Sequence, residues 1–139
     1  MVLHYLAMAI YFLLYALLLF FAFRYLLTDR YLRRYAKASG QDWQAVAAPM
    51  QQVVWAMMKV IGAGMLTTSV TGGLITLGAA LTGLAWLKYL APVPAVVFCA
   101  PTLYASYVVR KNTAAAAPVA PSLIALALAC MGLAVSREW

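Results

Sequence analysis

Four long apolar stretches alternate with short polar segments along this chain of 139 residues. A helix needs roughly 20 apolar residues to cross a bilayer, and each stretch is about that long. The pattern therefore predicts an all-α transmembrane four-helix bundle in a single domain, residues 1–139. The predicted spans are about 3–27, 55–78, 84–109 and 118–136.

The boundary between the second and third helices has two interpretations. In the first, residues 78–83 form a tight turn and helix three starts near residue 84, so Pro92 and Pro101 lie inside that helix and bend it. In the second, helix two continues to Leu87 and helix three starts near residue 94, which leaves about 16 residues, short for a bilayer. We favour the first, which also makes an aromatic and basic anchor at the start of helix three, formed by Trp86, Lys88 and Tyr89.

The segment after the first span is amphipathic. Its basic residues recur at i, i+3, i+4 and i+7, which places them on one face of a helix over about residues 28–38. Such a helix lies in the membrane interface, where a basic stripe contacts anionic lipid headgroups. The stripe consists of Arg30, Arg33, Arg34 and Lys37.

Composition and charge support the membrane interpretation. The chain is 67% hydrophobic and 9% charged, with a mean hydropathy of +0.90, whereas soluble domains carry about a quarter charged residues. The net charge of +7 comes from residues at the ends of apolar stretches, which points to lipid headgroups rather than nucleic acid. The basic excess lies in residues 24–59 and in the loop between helices three and four. The positive-inside rule therefore predicts both termini outside the cytoplasm and the amphipathic helix inside.

Ionisable residues are missing from the middle of every predicted span. The acids are Asp29, Asp42 and Glu138, all at aqueous edges, and the histidine is His4 near the N-terminus. Proton coupling in membranes uses ionisable groups inside the spans, and hydrolytic catalysis uses paired acids and bases. We therefore expect no catalytic residues, no metal and no cofactor, and an enzyme is the less favoured class.

The second span is rich in glycine, serine and threonine. Small residues let transmembrane helices approach closely, so this pattern predicts helix packing. They occupy two faces of the helix, more than one neighbour requires, which favours a homo-oligomer or a membrane partner. The predicted packing residues are Gly62, Gly64, Thr68, Ser69, Gly72, Gly73 and Thr76.

A second interpretation gives some polar side chains a ligand. Thr67 and Thr71, with Lys59 at the cytoplasmic mouth, would line a path for a small solute. Tyr11 and Tyr15 lie in the middle of the first span and would contact that ligand. The simpler expectation is that Lys59 extends to the interface and that the tyrosines bond to hydroxyl groups of helix two.

The two cysteines lie inside apolar helices. Cys99 and Cys130 are predicted at similar depth in helices three and four, so contact between them is left open. Without a CxxC pattern, two small core residues are favoured over a redox pair.

Short motifs over about residues 50–125 resemble a family of small four-helix membrane proteins of bacteria. They are the run from Met58 to Gly64, Trp86-x-Lys88-Tyr89-x-x-Pro92, Pro101-x-Leu103-Tyr104, and Thr113 to Pro118. This chain departs from that family in having no charged loop between helices two and three. The resemblance implies four helices in a bacterial inner membrane and carries no known activity.

Three functions follow as hypotheses. The favoured one is a non-enzymatic bundle, oligomeric or partner-bound, that packs through helix two. The alternatives are a facilitator or channel for a small neutral or anionic solute, and an integral membrane enzyme acting on a lipid or another lipophilic substrate.

Overall fold

The computed structural model describes residues 2–27, 40, 42–112 and 119–137. These residues form five α-helices and one short 3-10 turn, Trp43–Ala45. The helices are α1 Val2–Leu27, α2 Ala48–Thr82, α3 Ala85–Leu90, α4 Val93–Asn112 and α5 Val119–Arg137. Four stretches are long and apolar enough to cross a membrane: Leu3–Leu27, Ala48–Thr82, Ala85–Asn112 and Val119–Ser136. The predicted all-helical class with four such helices is confirmed.

Helix α2 extends further at its C-terminal end than the sequence predicted. It begins at Ala48 with Pro49 in its first turn, and it ends at Thr82 rather than near Gly78. Gly83 then stops the helix in a left-handed conformation, φ +65°, and its N–H bonds to Ala79 O at 3.1 Å. A residue without a Cβ adopts this conformation at no steric cost, so Gly83 places the turn.

The third span is interrupted, where the sequence predicted one bent helix. Helix α3 ends at Leu90, and α4 begins at Val93 after a turn at Ala91 and Pro92. Pro92 and Pro94 have no N–H to donate along the helix, and two such losses within three residues separate the segments. Pro101 alone does not stop α4.

The helices pack in a ring. Helix α1 contacts α2 and α5, and α4 closes the ring by contacting α2 and α5. Helix α3 lies at the end of the bundle where the chain turns at Gly83, and it contacts α2, α4 and α5. Helix α1 has its largest contacts with α2 and α5, and it carries the largest share of the buried core.

One residue of the predicted interfacial anchor is inside the bundle. Lys88 is buried, whereas Trp86 and Tyr89 are exposed. The Lys88 ammonium lies 5.1 Å from the centre of the Tyr89 ring, a cation–π distance. Lys88 is therefore not the outward-facing part of the anchor that the sequence predicted.

Candidate functional site: the buried tyrosines of the first helix

Tyr15 fills a notch in α2. It is 2% exposed, and a Cβ added at Gly72 would overlap its ring. The phenol hydroxyl donates a hydrogen bond to the Ala91 carbonyl in the turn between α3 and α4. An unpaired carbonyl is costly at membrane depth, and Tyr15 satisfies one where the third span is interrupted. One side chain of α1 thus joins α2 to the interruption.

Tyr11 makes the same kind of contact with α5. It is fully buried, and a Cβ added at Gly132 would overlap its ring. Ser136 Oγ donates to Gly132 O at 2.7 Å, so its lone pairs accept from the Tyr11 hydroxyl at 3.4 Å. Two tyrosines one helical turn apart therefore hold α1 against both of its neighbours.

The hydrogen-bond partners expected for these tyrosines were wrong. Helix α2 supplies a glycine notch to Tyr15 and no hydroxyl to either phenol; its Ser69 Oγ bonds instead to the Tyr15 backbone carbonyl at 2.7 Å. Sequence reasoning also missed Gly132 and Ser136. Their spacing of four places both on one face of α5, which was the available signal.

The small residues of α2 divide between two helices of the same chain. Gly62 packs against α1, where an added Cβ would lie 2.9 Å from Leu26 Cγ. Gly64 packs against α4, where an added Cβ would lie 3.0 Å from Phe98 Cε2. Contacts within one molecule thus account for both packing faces of α2, and a second copy of the chain is not needed to explain them.

The other predicted packing residues differ in burial. Ser69 and Thr76 are buried, and Thr76 Oγ1 bonds to Gly72 O at 2.8 Å. Thr68 is half-buried. At Gly73, also half-buried, an added Cβ would meet nothing within 4 Å. Among the predicted packing glycines of α2, Gly73 is therefore the one at which the described residues leave an open notch in the helix surface.

The residues proposed for a solute path do not line a common cavity. Thr67 and Thr71 are exposed on the outer face of α2, and Thr67 Oγ1 bonds to its own helix at Ala63 O, 3.0 Å away. Tyr11 and Tyr15 face the opposite way, into the bundle. The path that the sequence suggested is therefore not assembled among the described residues.

Lys59 stabilises the end of α1. Its ammonium donates to Leu26 O at 2.6 Å and lies 5.1 Å from the centre of the Trp55 ring. The last carbonyls of a helix have no partner within it and carry partial negative charge, so a cation there is favourable. This contact joins the C-terminal end of α1 to the first half of α2, where the sequence predicted that Lys59 extends to the interface.

Replacing Lys59 with methionine tests the cap. We expect a loss of about 1 kcal/mol, because the carbonyl of Leu26 loses a charged donor while the aliphatic stem is kept. Thermal unfolding of the purified protein in detergent measures the change. Lys111→Met is the control, because Lys111 is exposed at the end of α4. Equal stability of both variants would contradict the capping role.

The two cysteines have different surroundings. Both are free; Cys99 is buried in the core as predicted, whereas Cys130 is exposed, so the predicted core position of Cys130 is wrong. Among the described residues no three His, Cys, Asp or Glu side chains are close enough to hold a metal ion. The basic stripe of Arg30, Arg33, Arg34 and Lys37 lies outside the described residues, as does the predicted interfacial helix around it.

The fold and this core define the class of the protein. It is a multi-pass membrane protein with four apolar stretches, the first of which is held against its neighbours by buried tyrosines. Comparison with protein-family models, with curated proteins and with solved structures finds no match. Its chemistry has to be derived from its own residues.

Proposed function

We propose that this protein is a non-enzymatic bundle of the bacterial inner membrane that works by binding a second copy of itself, or another membrane protein, through the outer face of α2. The observation that carries this proposal is the open notch at Gly73. Val70 and Leu77 lie one helical turn on either side of it, 50% and 43% exposed. A glycine between large apolar side chains is the surface on which membrane helices approach closely.

The use of the buried hydroxyl groups supports a binding function over catalysis or conduction. Tyr11, Tyr15, Ser69 and Thr76 each make a hydrogen bond to protein, and a further one joins Ser136 to its own helix. Catalytic and conducting sites need polar groups that are available to a substrate or solute. Because these hydroxyl groups are used for packing inside the bundle, we place contacts with other molecules on the surface of the bundle.

Replacing Gly73 with leucine tests the proposed contact. The side chain would fill the notch and hold the second helix away, and we expect dissociation to be favoured about tenfold or more. Light scattering of the detergent-solubilised protein, with chemical cross-linking in native membranes, measures assembly. Leu81→Ala is the control, because Leu81 is 77% exposed near the end of α2, away from the notch. An assembly unchanged by Gly73→Leu, or a wild type that is monomeric and partnerless, would refute the proposal.

The same proposal includes topology and lipid contacts. Four described basic residues lie toward the ends of α1, α2 and α4 that the alternating direction of the helices brings to the same side of the bundle. They are Arg24, Lys59, Arg110 and Lys111. With the undescribed stripe, they favour a cytoplasmic location for that side and an outside location for both termini. The partners on that side are anionic headgroups.

Neutralising the basic stripe tests the lipid contact. Changing Arg30, Arg33, Arg34 and Lys37 to glutamine should reduce the preference for anionic lipid by at least tenfold, since each cation near the surface contributes about 1 kcal/mol. Lipids that co-purify with the protein, quantified by mass spectrometry, give the readout. Retention of a zwitterionic lipid should not change. Undiminished anionic lipid in the variant would show that the stripe does not bind it.

A further inference from the structure

A groove runs along the surface between α4 and α5. It has a volume of about 210 Å³ and is almost wholly apolar. Val93, Val96 and Val97 form one wall, Cys130 and Leu133 form the other, and Tyr89 of α3 lies at one end. The groove shares Ala129 with the tyrosine core, and none of its lining residues belongs to α2.

The location of the groove indicates which molecule it meets. Both walls belong to stretches that are long and apolar enough to span a membrane, Ala85–Asn112 and Val119–Ser136. The medium around such stretches is hydrocarbon, and Val97 is 68% exposed to it. A concave apolar surface in this medium fits a flexible chain of methylene groups, and 210 Å³ holds several of them.

The end of the groove differs from its walls. Tyr89 is 47% exposed and has a hydroxyl group, and the exposed Trp86 lies one turn earlier, nearer the start of the span. Tyrosine and tryptophan are enriched at the depth of lipid headgroups. Along the groove toward Tyr89, the surface therefore changes from apolar to hydrogen-bonding. A phospholipid changes in the same order, from its acyl chain to its ester and headgroup.

We propose that this groove binds one acyl chain of a glycerophospholipid, in the leaflet on the side of α3, with the ester region beside Tyr89. Burying each methylene in a matched apolar surface favours residence there over the freely exchanging lipid layer. The interruption between α3 and α4 contributes to the shape, since Pro92 also lines the groove. This proposal is independent of assembly through α2.

Photolabelling with a zwitterionic phosphatidylcholine that carries a diazirine on its acyl chain tests the proposal. The full-length protein is labelled in nanodiscs, and adducts are mapped by mass spectrometry. We expect adducts concentrated on α4 and α5 at Val93, Val97 and Cys130. The neutral headgroup keeps this measurement separate from any binding of anionic lipid to the basic stripe.

Two tryptophan substitutions provide the matched comparison. Val97→Trp fills the groove and should lower labelling of its walls about tenfold, whereas Val60→Trp makes the same change on α2, well away from Gly73, and should not. Both positions are more than 60% exposed, so neither change crowds the core. Labelling spread evenly over all lipid-facing helices, or unaffected by Val97→Trp, would overturn the proposal.

Discussion

Gly72→Ala is expected to destabilise the protein by about 2–4 kcal/mol. The added methyl group overlaps the Tyr15 ring, and overpacking of this kind costs about 1–3 kcal/mol. Moving the ring also breaks the hydrogen bond to the Ala91 carbonyl, which is worth about 1 kcal/mol. A fall of roughly 10 °C in the thermal midpoint in detergent would correspond to this loss.

The neighbouring glycine is a matched control for this change. Gly73→Ala makes the same chemical change one residue away, where an added Cβ meets nothing within 4 Å, so stability should not fall. The clash can also be isolated by a double-mutant cycle with Tyr15→Leu, because Gly72→Ala should cost little once the ring is absent. If Gly72→Ala and Gly73→Ala behave alike, Tyr15 does not occupy the notch.

Gly132→Ala is expected to have the second large effect, a loss of about 2–3 kcal/mol. The added Cβ would lie 2.8 Å from Tyr11 Cδ1 and closer still to the next ring carbon, so the ring must move away from α5. Its hydroxyl then leaves Ser136, and both groups are fully buried. Chemical or thermal unfolding, followed by tryptophan fluorescence, measures the loss.

Gly78→Ala controls for the general effect of adding a methyl group to a helix glycine. A Cβ at Gly78 would lie 3.6 Å from Leu87 Cδ1, an ordinary van der Waals distance. Alanine favours a helix over glycine by up to about 1 kcal/mol, so this variant should be as stable as the wild type or more so. A loss equal to that of Gly132→Ala would show that the Tyr11 ring is not responsible.

The contacts of Tyr15 with Gly72 and of Tyr11 with Gly132 change how the small residues of the helices are interpreted. In the sequence, two faces of small residues on one helix favoured contact with another molecule. In the structure those faces contact α1 and α4 of the same chain, through Gly62, Gly64 and Gly72. The proposal of assembly through α2 therefore rests on Gly73 and its exposed neighbours, a smaller surface than the sequence suggested.

Much of the fold was predictable because it depends on local composition. Apolar stretches of about 20 residues predict spans wherever they occur in a chain, and the medium selects helices, which satisfy every backbone group internally. The turn before the third span was placed within residues 78–83, and the stop at Gly83 follows from its left-handed conformation. The interruption at Ala91 was not predicted, because a proline inside a helix either bends or ends it according to what surrounds it.

Sequence alone determined that this is a helical membrane protein, that its interior lacks acids in the middle of the spans, and that α2 and its neighbours can approach closely. These properties follow from residue type and spacing along one segment. Tertiary structure alone decided which side chains meet: Tyr15 with Gly72 and Ala91, Tyr11 with Gly132, and Lys59 with the end of α1. Such pairs join residues far apart in the chain, and their formation depends on the order of helices around the bundle, which hydrophobic periodicity does not encode.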